Sequence, residues 1–244
     1  DFETSTAETF IGKYNINYRF TPKLDVEAVF DFNQTKGIGT SIATNLRTIG
    51  SASVLMKYTF AKQLLLESSL RQETTSAYQS PLLYAFGIQA PLTKFYPIKL
   101  NHSRNYRIPT FNDLYWMVGG NPELKPEQSS QTELGQELHF KGVRLVATVY
   151  HNTIENLIQW KPSGGIWTPE NIGSVKSYGA EFLLETTKKI GIHKFNLTST
   201  YAYTVSTNED LNTQLTYVPF HKYNANLVYS FRKISLNYQY LFNG

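Results

Sequence analysis

Phe10-Ile-Gly-Lys-Tyr-Asn-Ile-Asn-Tyr-Arg-Phe20 sets Phe10, Tyr14, Ile16, Tyr18 and Phe20 on one parity and Lys13, Asn15, Asn17 and Arg19 on the other. A side-chain period of two belongs to a β-strand, whose successive residues point to opposite faces. Beyond Thr21-Pro22-Lys23, the residues Leu24, Val26, Ala28, Phe30 and Phe32 alternate with Asp25, Glu27, Asp31 and Asn33. The two runs predict a hairpin around a tight proline turn.

The same alternation recurs outward from this hairpin. Ala52, Val54, Met56, Tyr58 and Phe60 line one run, and Leu64, Leu66 and Leu70 line the next, opposite Glu67 and Arg71. Residues 82–89 and 95–103 form a less regular pair. Leu134, Leu138 and Phe140 lead through Lys141-Gly142 into Val143, Leu145, Ala147 and Val149. Tyr178, Ala180, Phe182 and Leu184 precede Phe195, Leu197, Tyr201 and Tyr203. Tyr223, Ala225, Leu227, Tyr229 and Phe231 turn at Arg232-Lys233 into Ile234, Leu236, Tyr238, Tyr240 and Phe242. About twelve antiparallel strands in up-and-down hairpins are expected. Short connections at 21–23, 61–63, 90–94, 141–142, 188–191 and 232–233 alternate with long ones at 34–48, 72–81, 104–129, 155–171 and 205–216.

Composition narrows the class. The 244 residues carry 23 Lys plus Arg against 19 Asp plus Glu, a net charge of +4, with 17% charged and 14% aromatic residues and no cysteine. Without cysteine, a disulfide scaffold, a Cys-ligated zinc finger, an iron–sulfur cluster and thiol catalysis are excluded. No Lys/Arg run marks a nucleic-acid tract, so no nucleic-acid partner is expected. The apolar runs fall far short of the roughly 20 residues of a membrane helix. Asp1 to Thr9 is acidic and polar rather than signal-like, and no initiating Met is present, so the chain reads as a mature form or a piece of something larger.

The apolar parity is aliphatic in mid-strand with Tyr and Phe at the ends, and the other parity is polar throughout. Lipid-facing strands with aromatic girdles, a polar lumen, short turns on one rim and long loops on the other describe an outer-membrane barrel. The competing architecture is a soluble all-β carbohydrate-binding module, lectin-like sandwich or lipocalin-like barrel, in which the apolar faces pack on one another. Strand length favours the membrane: several runs reach 11 or more residues, and a tilted membrane strand needs about 9 to 11.

The longest expected loop reads Arg104-Asn-Tyr106-Arg107-Ile-Pro109-Thr-Phe-Asn-Asp-Leu-Tyr115-Trp116, then Gly119-Gly-Asn121-Pro122-Glu-Leu124-Lys-Pro126-Glu127, followed by Glu133-Leu-Gly135. This ordered set resembles the TonB-dependent outer-membrane receptors. Asn171-Ile-Gly173 with Gly179-Ala-Glu181, and Val218-Pro219-Phe220-His221, resemble later elements of the same family. The resemblance implies an antiparallel up-and-down transmembrane β-barrel of 22 strands in the outer membrane of a Gram-negative bacterium, enclosing an N-terminal plug preceded by a TonB box. No plug, TonB box or terminal aromatic strand is seen in residues 1–244. The chain is therefore expected to be an internal part of the barrel domain, roughly strands 9 to 20.

What the resemblance implies for function is uptake of a scarce nutrient, with a ferric siderophore or cobalamin-like corrinoid favoured, driven through the TonB complex and without chemistry on the cargo. Tyr106, Tyr115, Trp116, Trp160 and Trp167 are the candidate ligand contacts. Arg107, Pro109, Asn121, Pro122, Leu124, Pro126 and Glu127 are expected to hold the loop to the wall, through prolines that restrict the backbone and charge-assisted hydrogen bonds. The five histidines, His102, His139, His151, His193 and His221, show no metal-ligand spacing, and no nucleophile elbow or phosphate loop appears, so no metal, cofactor or catalytic residue is expected. Asp25, Glu27, Glu67, Glu181 and Glu185 are acids that alternation places on a polar wall by default. Lys23, Lys62, Lys94, Lys141, Lys188, Lys189, Arg232 and Lys233 mark the short turns and read as turn solubility. Outer-membrane lipid is an expected partner, and the isolated chain is expected to self-associate through open strand edges.

Overall fold

The computed structural model describes residues 4–40, 42, 44–60, 64–93 and 95–244. The described elements are β1 (Ser5–Thr21), β2 (Leu24–Gly39), β3 (Asn45–Thr59), β4 (Leu65–Thr75), β5 (Leu83–Thr93), β6 (Tyr96–Arg107), α1 (Phe111–Tyr115), β7 (Glu127–Phe140), β8 (Val143–Ser163), β9 (Ile166–Ile190), β10 (His193–Asn208), β11 (Thr213–Gln214), β12 (His221–Phe231) and β13 (Ile234–Asn243). Twelve strands form one antiparallel sheet in chain order, and β11 pairs with β10 off that path. This is the up-and-down all-β architecture that the alternation predicts.

Register carries the parity of each strand to the next. Tyr14 pairs with Phe30, Phe30 with Ala52, and Val54 with Leu70. Ala147 pairs with Phe182, Phe182 with Tyr201, and Tyr201 with Tyr223. The sheet therefore has one continuous apolar face. Among the described residues no second layer covers it: Phe10 is 65% exposed, Phe182 50% and Leu236 63%. An apolar face without a partner layer is what a bilayer covers and what a soluble sandwich would bury.

The opposite face is concave and polar. It bounds a space of about 890 Å³ lined by Asn17, Glu27, Lys57, Glu67, Asn101 and Glu133 among others. Its charges are paired across the ladder: Arg19 with Asp25 at 2.7 Å, Lys57 with Glu67 at 3.6 Å, Arg71 with Asp31 at 3.2 Å, and Arg144 with Glu137 at 2.6 Å and Glu185 at 2.8 Å. Asn15 donates to Glu27 at 2.9 Å.

The two rims differ, with three corrections to the expected loops. Residues 34–39 and 45–48, expected in a long connection, are the ends of β2 and β3, with 34–37 paired to 45–48. Residues 90–93, expected as a turn, continue β5; the third correction is the 155–171 segment. Residues 22–23, 141–142, 191–192 and 232–233 are tight turns, while the expected turn at 61–63 with Lys62, and Lys94, lie outside the described residues. On the other rim, residues 76–82, 108–126 and 209–220 connect strands. Residues 155–171 are not a loop. They continue β8 and β9 into a hairpin closed by Gly164-Gly165, at φ 59° and 88°, with Leu157 opposite Ile172 and Trp160 opposite Pro169. Consecutive positive φ values belong to a turn whose twist matches its strands, and glycine adopts them without a Cβ penalty. At 21 and 25 residues, the two strands exceed the roughly 9 to 11 needed to cross a membrane.

Buried apolar side chains concentrate at this long rim. Of Val29, Leu114, Leu124, Ile172 and Val175, the described apolar residues at most 6% exposed, all but Val29 lie in the 108–126 connection or the β8–β9 hairpin.

Candidate functional site

The 108–126 connection is a folded unit. Pro109 is fully buried where the chain leaves β6. Thr110 then caps α1: its Oγ1 accepts from Asp113 N at 3.1 Å, and Asp113 Oδ2 accepts from Thr110 N at 2.8 Å. This reciprocal box satisfies amides that a five-residue helix leaves free. Asp113, only 6% exposed, also accepts the Trp160 Nε1 hydrogen at 2.9 Å, which ties the helix to β8.

Beyond the helix, Gly120 N donates to Trp116 O at 2.6 Å. A Cβ on Gly120 would stand 2.5 Å from Trp116 N, and one on Gly119 would strike the Trp167 carbonyl oxygen. The backbone thus approaches both the helix and the hairpin at distances only glycine allows. Asn121 N donates to Asp113 O at 2.8 Å, and Asn121 Nδ2 donates to Pro169 O at 3.1 Å. Asn121 Oδ1 accepts from Glu123 N at 3.0 Å, closing an Asx turn in which Pro122 is exposed.

Leu124 is 2% exposed, and its carbonyl accepts from Tyr78 Oη at 3.3 Å. Asn171 then imitates a strand partner: Oδ1 accepts from Lys125 N at 2.8 Å, while Nδ2 donates to Lys125 O at 2.9 Å and Asn156 O at 2.8 Å. After half-buried Pro126, Glu127 forms a two-pronged pair with Arg107, whose Nε–Oε2 distance is 2.6 Å. Glu127 Oε1 also accepts from Ile158 N at 2.8 Å. A single carboxylate therefore joins β6, β7 and β8 through charge-assisted bonds.

The aromatic candidates divide into separate groups. Trp116 and Trp160 meet edge to face at 5.5 Å, and the Trp167 backbone lies against Gly119. Tyr115 is 38% exposed and Trp167 48%, beside Met117 at 72% and Val118 at 52%. Tyr115 packs instead toward Phe111, 6.2 Å away. Tyr106 turns to the neighbouring connection, its Oη donating to Gln79 O at 3.2 Å.

Sequence reasoning left several residues of this cluster unmarked. Phe111 receives the Arg47 guanidinium 4.7 Å from its ring centroid, a cation–π contact. Burial raises the pKa of the Tyr78 hydroxyl, against the nearby Arg47 charge that lowers it, so it acts as a neutral hydrogen-bond donor to Leu124. Asp113 had one local signal, the Thr-x-x-Asp spacing of a capping box. Arg47 and Tyr78 had none, because their contacts join residues far apart in sequence.

The resulting arrangement is a docked loop with a half-exposed aromatic and aliphatic tip, standing at the long-loop rim of a polar concavity. It offers apolar contact and hydrogen bonds rather than a nucleophile and base.

Comparison with known proteins agrees with this architecture. The family described as TonB dependent receptor-like, beta-barrel, matches residues 1–244. The chain is 33% identical over 173 residues to the vitamin B12 transporter BtuB of Vibrio vulnificus (strain YJ016), covering 68% of this chain and 28% of that protein. It is 25% identical over 182 residues to BtuB of Photobacterium profundum, covering 72% of this chain and 30% of that protein. The chain thus spans less than a third of these relatives' length. Among solved structures, the siderophore receptor PirA from Pseudomonas aeruginosa superposes with a TM-score of 0.79 at 16% identity, covering 98% of this chain and 46% of that one. A mutant of the ferric enterobactin receptor PfeA of the same organism, in complex with enterobactin, gives 0.80 at 17% identity, covering 99% and 42%. At these identities the superpositions establish the fold. With its whole length matched, its apolar face turned outward and its long rim organised around a docked loop, the chain belongs to the TonB-dependent receptor β-barrel family of Gram-negative outer membranes.

Proposed function

We propose that the chain forms part of the wall of a receptor that imports a scarce small-molecule nutrient across the outer membrane, powered through TonB. The observation that carries this reading is the docked 108–126 connection, which holds an apolar tip in fixed relation to the polar concavity. A surface already ordered before cargo arrives binds more tightly, because ordering a loop on binding costs affinity. Trp116, Trp167 and Tyr115 are the contacts we assign to the cargo; Arg107, Asn121, Leu124 and Glu127, with the prolines, position them.

The cargo class of this reading is a cobalamin-like corrinoid or a ferric siderophore, and the names of the relatives, vitamin B12 transporters, support trying the corrinoid first. No chemistry on the cargo is assigned in this reading; Asp25, Glu67 and Glu185 on the polar wall pair with Arg19, Lys57 and Arg144. These 244 residues supply about twelve strands of a larger barrel of about 22, whose plug and TonB contact are carried by other parts of the full receptor. The apolar face meets membrane lipid, and the chain on its own self-associates along its edge strands.

The test is calorimetric titration of the full-length receptor with cyanocobalamin and, separately, with ferric enterobactin. Saturable binding of one of them, weakened about tenfold by a Trp116→Ala and Trp167→Ala double variant, is expected. Binding of neither overturns the cargo class. Undiminished binding in the double variant overturns the contact assignment alone.

A further inference from the structure

The outward face carries a groove that cargo uptake does not use. It has a volume of about 300 Å³ and crosses β7 to β10 between Leu138, Leu145, Leu184 and Tyr201, with the small side chains of Ala147 and Ser199 along it. The polar atoms beside it are already paired: Tyr96 Oη donates to Gln136 Oε1 at 2.7 Å, and Ser199 Oγ to Tyr223 Oη at 3.2 Å. What the groove presents is hydrocarbon surface, in a band where the surrounding solvent is lipid.

Toward the tight-turn rim, the next outward positions are Phe140, Val143 and Thr186, and then the cations Lys141 and Lys188. These lysines stand on adjacent hairpin ends, because Thr187 N donates to Gly142 O at 3.1 Å. Lys141 Nζ lies 5.4 Å from the Phe140 ring centroid, and further along the rim Arg232 Cζ lies 5.5 Å from that of Phe231. Between them His193 and Tyr229, stacked and hydrogen-bonded at 2.8 Å, form the polar edge of an aromatic belt.

Carboxylate pairing is partial among the described cations, and these three are among those without it. On the concave face Arg19, Arg71 and Arg144 all have carboxylate partners. Among the described residues, Lys141, Lys188 and Arg232 have none. Like charges left unpaired at the end of an apolar groove complement a molecule with an anionic head and a hydrocarbon tail.

We propose that Lys141, Lys188 and the groove form a binding site for an anionic diacyl phospholipid of the inner leaflet. Its phosphate sits between the two ammonium groups, and one acyl chain lies along Ala147 and Ser199. Four strand residues, about 13 Å, separate Leu184 from Lys188, and lysine stems lying back along the apolar face bring their heads toward the groove mouth. The site is independent of which cargo the receptor carries.

Native mass spectrometry of the full-length receptor, delipidated and re-equilibrated with equal phosphatidylglycerol and phosphatidylethanolamine, tests the site. Phosphatidylglycerol is expected to be retained preferentially, with retention falling about fivefold for each of Lys141→Gln and Lys188→Gln. Ala147→Phe, which fills the groove and leaves the cations in place, should also lower it. Heat-modifiable gel mobility checks that each variant is folded. Should a variant misfold, the parent receptor decides: short-chain phosphatidylglycerol must displace the retained lipid and glycerol phosphate must not. Equal retention of the two lipids, or unchanged retention in the lysine variants, overturns the proposal. Unchanged retention in Ala147→Phe overturns the groove as the acyl site.

Discussion

Glu127 accepts from Arg107 on one strand and from the Ile158 amide on another, so its removal strands a donor on each. A donor that loses its partner in a partly buried site costs about 1–3 kcal/mol. Glu127→Ala is therefore expected to destabilise the long rim by about 2 kcal/mol and to speed cleavage within residues 108–126 under limited proteolysis. Glu127→Gln keeps an acceptor for Ile158 and should lose less. Asp113 is exposed to a similar argument, as it both completes the α1 cap and receives Trp160. Asp113→Ala is expected to cost about 1–2 kcal/mol and to shift Trp160 emission toward the red as its ring gains water. Glu127 and Arg107 were legible as an ordered motif. The partners on β8, the Ile158 amide for Glu127 and the Trp160 indole for Asp113, were not, since nothing local in a sequence records a contact made across strands.

At the scale of elements, alternation identified the strands wherever one face meets a different solvent from the other, as in Phe10 to Phe20 and Ile234 to Phe242. It failed along residues 155–171, and the reason is physical. There the hairpin has left the wall, the docked loop covers part of it, and Leu157-Ile158 with Trp160 no longer alternate with polar residues. Pro162, Gly164, Gly165 and Pro169 then read as breakers, although the two glycines only close the turn, and the prolines sit opposite Trp167 and Trp160 in the ladder. Helix α1 escaped notice because a single turn has too few residues to show a period. The glycine turn allows a direct check. Ala at both positions forces left-handed backbone on residues for which it costs about 1–2 kcal/mol each. Faster amide exchange across residues 160–169 is expected, with the exchange of β2 and β3 unchanged.

The whole molecule is a curved sheet with lipid-like surface outside, paired charges inside, and β1 and β13 each hydrogen-bonded to one described neighbour only. Produced alone, residues 1–244 present two free edges and an uncovered apolar face. Light scattering of the isolated chain in mild detergent is expected to give a mass that rises with protein concentration; a strictly monomeric, well-folded particle would count against the edge argument. The fold class was readable at this scale because the membrane imposes its constraint on every strand at once. The position of the buried core was not readable, since four of its five described apolar residues lie in the 108–126 connection or the β8–β9 hairpin, which only the fold brings together. The tip of that hairpin has one more use. Nothing approaches the space over Gly164 and Gly165 within 4 Å, Ser163 beside them is exposed, and these 244 residues contain no thiol. A Ser163→Cys substitution would give this segment a single addressable handle, so that a fluorophore fixed there could report the receptor's position on living cells without touching its wall.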